Sequence, residues 1–319
     1  MGYGDYDLQA HRAATQARAA LSTDQVFTQG ACHPSMNPHG VKLRESRDSE
    51  AHPCSVGVVF ALDVSGSMGE VPRKLATETL PTFMAAATSL LPDAQVMFIA
   101  FGHAWADRSP LQVGQFESEA ALIDQWLSRI HLEGGGGGLG ESYDLPMHFA
   151  SRHTAMDCTE KRARKGYFFM TGDEPPFVKL IASKANEVLG TQLHTDIAIH
   201  EVVAELTTKF HPFFLIPDAK SAETPMCLAA WRALLHERVV ILDRADDTAA
   251  ACAALIGIQE GALRDGPSID RWLEETLGRT GEARDRVTRA VLPYCEALKR
   301  GPIAAPEPLH EEKPPAFAG

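Results

Sequence analysis

The apolar run Val56-Gly57-Val58-Val59-Phe60-Ala61-Leu62, followed by Asp63-Val64-Ser65-Gly66-Ser67-Met68, is the stretch on which the fold turns. A run without polar side chains, closed by a turn of Ser and Gly, reads as a fully buried strand of a parallel sheet. That strand delivers one carboxylate and two hydroxyls to a tight turn. Hard oxygens gathered at a strand end suit a small divalent cation such as Mg2+, which demands octahedral oxygen coordination and keeps several of its waters. The same residues also describe a plain strand-to-helix turn with Ser67 as N-cap.

A second apolar run, Gly166-Tyr167-Phe168-Phe169-Met170-Thr171, ends in Gly172-Asp173-Glu174-Pro175. Two strands that each end in an aspartate point to one shared edge, because ligands of open parallel sheets sit outside the carboxyl ends of the strands, where strand order reverses. In these residues the chain resembles the von Willebrand factor A (VWA) family, over roughly residues 54 to 262. The metal-ion-dependent adhesion site of that family combines a DxSxS turn, a Thr or Asp on a second loop, and an Asp ending a later strand. The resemblance implies an α/β fold: a doubly wound, mainly parallel six-stranded sheet flanked by helices, VWA or Rossmann-like. It also implies roles. Ser65 and Ser67 would be direct hydroxyl ligands, and Asp63 and Asp173 would hold Mg2+ (or Mn2+ or Ca2+) mainly through waters.

The second loop departs from the family pattern. It reads Leu132-Glu133-Gly134-Gly135-Gly136-Gly137-Gly138-Leu139-Gly140-Glu141-Ser142-Tyr143, and alignment on Glu141 puts Gly138 where the family has Thr or Asp. Three replacements for the third ligand are open: the Ser142 hydroxyl, the Glu141 carboxylate, or water. An inner-shell Glu141 would partly neutralise the cation, whereas hydroxyl and water would leave it attractive to a partner's acid. Gly137, Gly138 and Gly140 lie beside the site, either as a featureless connector or as backbone able to approach a ligand closely.

The rest of the chain narrows the function classes. A net charge of −12 opposes nonspecific nucleic-acid binding, which needs clustered Lys and Arg. No apolar stretch approaches the ~18 residues of a membrane span. The start, Met1 to Tyr6, has no basic region or apolar core of a signal peptide. Cys32, Cys54, Cys158, Cys227, Cys252 and Cys295 are scattered without a CxxC pair, which fits reduced thiols. A cytoplasmic location is expected. No P-loop, HExxH or GxSxG motif occurs, and among the histidines only His103, close to the end of the second strand, merits attention.

Strands are expected at Val56 to Leu62, Gln95 to Phe101, Gly166 to Thr171, Pro212 to Pro217 and Arg238 to Leu242, with an edge strand near Leu111 to Phe116. Ile123, Trp126, Leu127 and Ile130 fall on one helical face, as do Ile199, Val202, Val203 and Leu206. Pro81 should kink or divide the helix after the Asp63 turn. Trp126, Trp231 and Trp272 are read as core. The expected organisation is an irregular extension over 1–53 and a VWA-like domain over 54–263. A helical appendix over 264–300 and a disordered tail over 301–319 follow. The charged segment Lys42 to Glu50 reads as a solvated linker.

Two function classes remain. The resemblance implies a metal-dependent protein-interaction module, an adaptor or scaffold whose cation is completed by a partner's Asp or Glu. Its partner would be a protein such as an ATPase, a chaperone or a kinase, not nucleic acid or membrane. The alternative is a Mg2+-dependent phosphohydrolase of the haloacid dehalogenase type, in which the first Asp attacks phosphorus and a second Asp two residues on serves as acid or base. Here that second position is Ser65, a poor acid, so the reading is that the chain is not an enzyme.

Overall fold

A computed structural model describes residues 4, 6–66, 68, 70–134, 140–218 and 225–309. Ser67, Gly137 and Gly138 lie outside these residues, as do His310 to Gly319. The central sheet has six strands: β1 (Val56–Asp63), β2 (Ala94–Phe101), β3 (Leu111–Val113), β4 (Gly166–Thr171), β5 (Phe210–Ile216) and β6 (Val239–Ile241). Their order is β6-β5-β4-β1-β2-β3, all parallel except the edge strand β3. This is the mixed α/β architecture that the sequence pattern implies. Every residue of β1 and β2 is buried, which explains why both are apolar but for Gln95 and the terminal Asp63.

The order fixes where a ligand can sit. From β1 the chain crosses to β2 on one side, whereas β4, β5 and β6 are added on the other. Right-handed crossovers in opposite directions put helices on both faces and open a crevice beyond the carboxyl ends of β1 and β4. Register places Leu62 opposite Thr171, so Asp63 and Gly172 leave the sheet side by side.

The strand limits differ slightly from the sequence pattern, most visibly in β5. Pairing begins at Phe210, before Pro212, although a proline cannot donate to a ladder. The reason is that β6 pairs only from Phe214 onward, so at Pro212 the strand has a partner on one side alone. The helix after β1 runs as an α-helix over Glu70–Lys74, a wide π-turn over Leu75–Thr79 and an α-helix over Leu80–Leu90. Pro81 opens the last piece. Leu80 N–H donates to Leu75 O in the π register, and the missing Pro81 donor falls where the ladder has already changed.

The helix Thr248–Gln259 is apolar on all sides because it is covered on all sides. It packs between Leu80–Leu90 and the C-terminal helix Gly281–Arg300. The chain beyond Arg300 is described to Leu309, and there Glu307 N–H donates to Ala233 O.

The N-terminal segment is tied to the sheet domain. Helix Leu8–Ala19 brings His11 and Arg18 onto the buried Asp124, at 2.8 and 2.7 Å. The segment read as a solvated linker is docked instead. Arg44–Ser46 pairs in parallel with Thr154–Met156, Arg47 reaches Asp157 at 2.9 Å, and Asp48 holds Arg162 at 2.7 Å. A charge run reveals its own charges but not the complementary ones more than a hundred residues away.

Two histidines, His148 buried and His211 half-buried, set an acid limit on this fold. The imidazoles of His148, on helix Asp144–Arg152, and of His211, in β5, are pushed down to about 4. The cause is burial first, then Arg152 beside His148 and Lys165 beside His211. Because an unfolded imidazole titrates near ~6.5, the unfolded chain binds more protons between the two values. Their contribution to stability is therefore complete above about 6.5 and is lost as pH falls toward about 4. Denaturant unfolding at pH 7 and pH 5 should show the parent losing about 1–2 kcal/mol more than His148→Leu over that interval. Parallel losses would refute the assignment.

Candidate metal centre

Asp63 is the last residue of β1 and is wholly buried. Its Oδ1 accepts the Ser65 N–H at 2.8 Å, the short-range bond by which a turn residue folds back on the preceding carboxylate. Its Oδ2 accepts the Tyr143 hydroxyl at 3.3 Å. Burial pushes the carboxyl up to about 7, and the charge of Asp173 adds to the rise. The Ser65 residue is buried beside it. Asp173, just beyond β4, lies close enough to act electrostatically on Asp63, Glu141 and Tyr143. The two aspartates thus meet at one rim, as the strand pattern requires.

The glycine-rich loop returns to this rim at Gly140. That residue has φ of +93° and its N–H donates to Glu174 Oε2 at 2.8 Å. A side chain there would also press on Phe177 and the Pro175 carbonyl, both 3.2 Å from the Cβ position, so glycine is needed twice over. Glu141 and Ser142 follow with different fates. The Ser142 hydroxyl accepts the Ala104 N–H at 2.9 Å and ties the loop to the segment after β2. Glu141 is 3% exposed, and its Oε2 has no hydrogen-bond partner. Burial raises its carboxyl to about 8, with further upward pressure from Asp63, Asp107, Glu174 and Asp173.

An orphaned carboxylate oxygen among four other acids is costly unless something positive faces it. Three of the four carboxylates around it are held by backbone donors: Asp63 by Ser65, Asp107 by the His103 N–H at 2.7 Å, and Glu174 by Gly140. Among the described residues no three His, Cys, Asp or Glu side chains stand in ligand geometry on their own. The donor set is mixed, hydroxyl and carboxylate, which is the hard-oxygen chemistry of Mg2+.

The residues that sequence reasoning missed support the site from beneath. Tyr143 is wholly buried and bridges the two acid-bearing loops, donating to Asp63 and accepting the Glu174 N–H at 3.2 Å. Its ring is packed edge-on against Phe101, Phe214 and Trp231, while Trp231 stacks on Phe214 at 3.9 Å. The indole N–H of Trp231 donates to Glu174 O at 3.0 Å, so a tryptophan read as core also positions the rim. Asp107 carries no local motif that could have revealed it. The His103 ring contacts Trp105 and Phe177 on the rim, and its main chain, not its imidazole, is what serves Asp107.

No family model matches the chain, and no curated protein matches it. Similar solved structures include the open conformation of the pilus adhesin SpaC from Lactobacillus rhamnosus GG, 14% identical with a TM-score of 0.42 over 67% of this chain. Proximal thread matrix protein 1 from the mussel byssus is 7% identical with a TM-score of 0.38 over 70% of this chain. The chain spans 31% of the adhesin and 51% of the thread protein.

Proposed function

We propose that the chain is a VWA-type, cytoplasmic interaction module that holds a divalent cation at the crevice between β1 and β4 and uses it to bind a protein partner's acid. The reading is carried by the unpartnered Glu141 oxygen, buried among Asp63, Asp107, Asp173 and Glu174. Asp63, Ser65, Asp173 and Glu141 are the groups that would hold Mg2+, with Ser67 and Ser142 as further hydroxyls. The ion would supply a point of positive charge that a carboxylate from outside can complete. The protein's own task is to keep Asp63 oriented, through the Ser65 N–H and the Tyr143 hydroxyl, and to pin the neighbouring Glu174 through the Gly140 N–H, before any partner arrives. Among the described residues no helix is long and apolar enough to cross a membrane.

The test is thermal unfolding in Mg2+ and in EDTA. A ligand at 100 times its Kd stabilises by about 2.7 kcal/mol, so the parent should melt higher with Mg2+. Ser65→Ala and Ser67→Ala should keep the fold and lose most of that rise. Equal shifts in parent and variants would refute the site. A pull-down of partner proteins repeated with and without EDTA then asks whether binding follows the metal.

A further inference from the structure

We infer that the loop Gly102–Arg108, together with Phe177, is a docking platform for an acidic peptide segment. One carboxylate of that segment faces the cation centre, an adjoining apolar side chain lies on Trp105, and a second carboxylate meets Arg108. The cation contact rests on the interaction-module reading above; the Trp105 contact stands on its own observations.

Trp105 is 50% exposed, while Trp231 is wholly buried and Trp126 and Trp272 pack against the core. It is not a loose loop tip. Phe177 meets its ring edge-on at 5.1 Å, His103 lies 5.9 Å away, and the Lys184 ammonium sits 6.0 Å from the ring centre. The loop beneath is pinned: Asp107 accepts the His103 N–H, and Glu133 accepts the N–H groups of Arg108 and Ser109, each at 2.8 Å. A tryptophan held rigidly with half its surface in water loses little conformational freedom on binding, which is why such residues dominate interface energetics.

The platform is continuous with the metal centre. Phe177 touches the Cβ position of Gly140, Ala104 holds Ser142, and Asp107 raises the Glu141 carboxyl by its charge. Its own charge points to the occupant. On a chain of net charge −12, the loop that carries Trp105 ends in the exposed Arg108, whose guanidinium has no partner among the described residues, and the Lys184 ammonium over the indole is paired with Glu187. Acid, apolar and acid in one short segment match cation, indole and guanidinium.

A displayed library of random dodecapeptides, selected in Mg2+ on the parent and on Trp105→Ala in parallel, tests this. The parent should enrich peptides that combine carboxylates with an apolar residue and are released by EDTA. The best of these should bind Trp105→Ala at least 10-fold more weakly and Arg108→Glu several-fold more weakly. Trp105→Ala must keep the Mg2+-dependent melting rise, which shows its fold and metal centre intact. EDTA-releasable peptides that bind parent and Trp105→Ala equally would overturn the platform and leave the metal reading standing. Trp105-dependent peptides indifferent to EDTA would overturn the metal contact and uphold the platform. No enrichment on the parent, or a Trp105-dependent dimer in sedimentation, would overturn the peptide occupant altogether.

Discussion

Glu141→Gln is expected to melt higher than the parent in EDTA and to lose most of the response to Mg2+. The two effects have opposite signs and one cause. Glu141 is 3% exposed, one of its oxygens is unpartnered, and four carboxylates surround it. Burial and the neighbouring acids raise the Glu141 carboxyl to about 8, so near neutral pH folding must protonate it; glutamine keeps the shape and is neutral without a proton, so that cost disappears. Relief of that cost should add about 1–3 kcal/mol, read as a higher denaturant midpoint at unchanged slope. In excess Mg2+ the order reverses, because an amide oxygen holds a hard dication far less strongly than a carboxylate. Stability curves that coincide in EDTA would show the Glu141 charge to be compensated without metal. A variant that gains in EDTA yet keeps the full Mg2+ rise would give the vacant ligand position to Ser142 or to water.

The sheet and both aspartates were legible because each is announced by adjacent residues. A buried parallel strand is an apolar run, and its carboxyl end is wherever the run stops, as at Asp63 and Gly172-Asp173. Tyr143 and Trp231 were not legible as site residues. Trp231 on a helical stripe reads as core and Tyr143 as the end of a loop, yet both are core: their rings pack among Phe101 and Phe214 while their polar ends reach Asp63 and Glu174. One side chain with two uses shows only the commoner use in a sequence. Asp107 and the docking of Arg47 and Asp48 were hidden for a different reason. Each depends on a partner brought near by topology, with no periodic or motif signal in its own neighbourhood.

Replacing Gly172 with alanine should cost about 3 kcal/mol or more and should cripple the rim along with the core. Gly172 follows β4, with no backbone conformation reserved for glycine, so the effect is purely steric. A Cβ at this position would lie 2.3 Å from the Tyr143 hydroxyl and 2.5 and 2.7 Å from two of its ring carbons. Tyr143 cannot yield, because Phe101, Phe214 and Trp231 press on its ring from three directions. Its hydroxyl is also the link between Asp63 and the Glu174 N–H, so any displacement moves both acid-bearing loops. Tyr143→Phe in the Gly172→Ala background should recover only part of the loss, since two ring carbons still collide. Tyr143→Leu should recover more stability by vacating the space, but no Mg2+-dependent rise in melting temperature, because the bridge to Asp63 is gone. Recovery of both in the leucine double variant would separate core packing from the metal centre and refute the shared role assigned to Tyr143. Gly172→Ala as stable as the parent would refute the close approach itself.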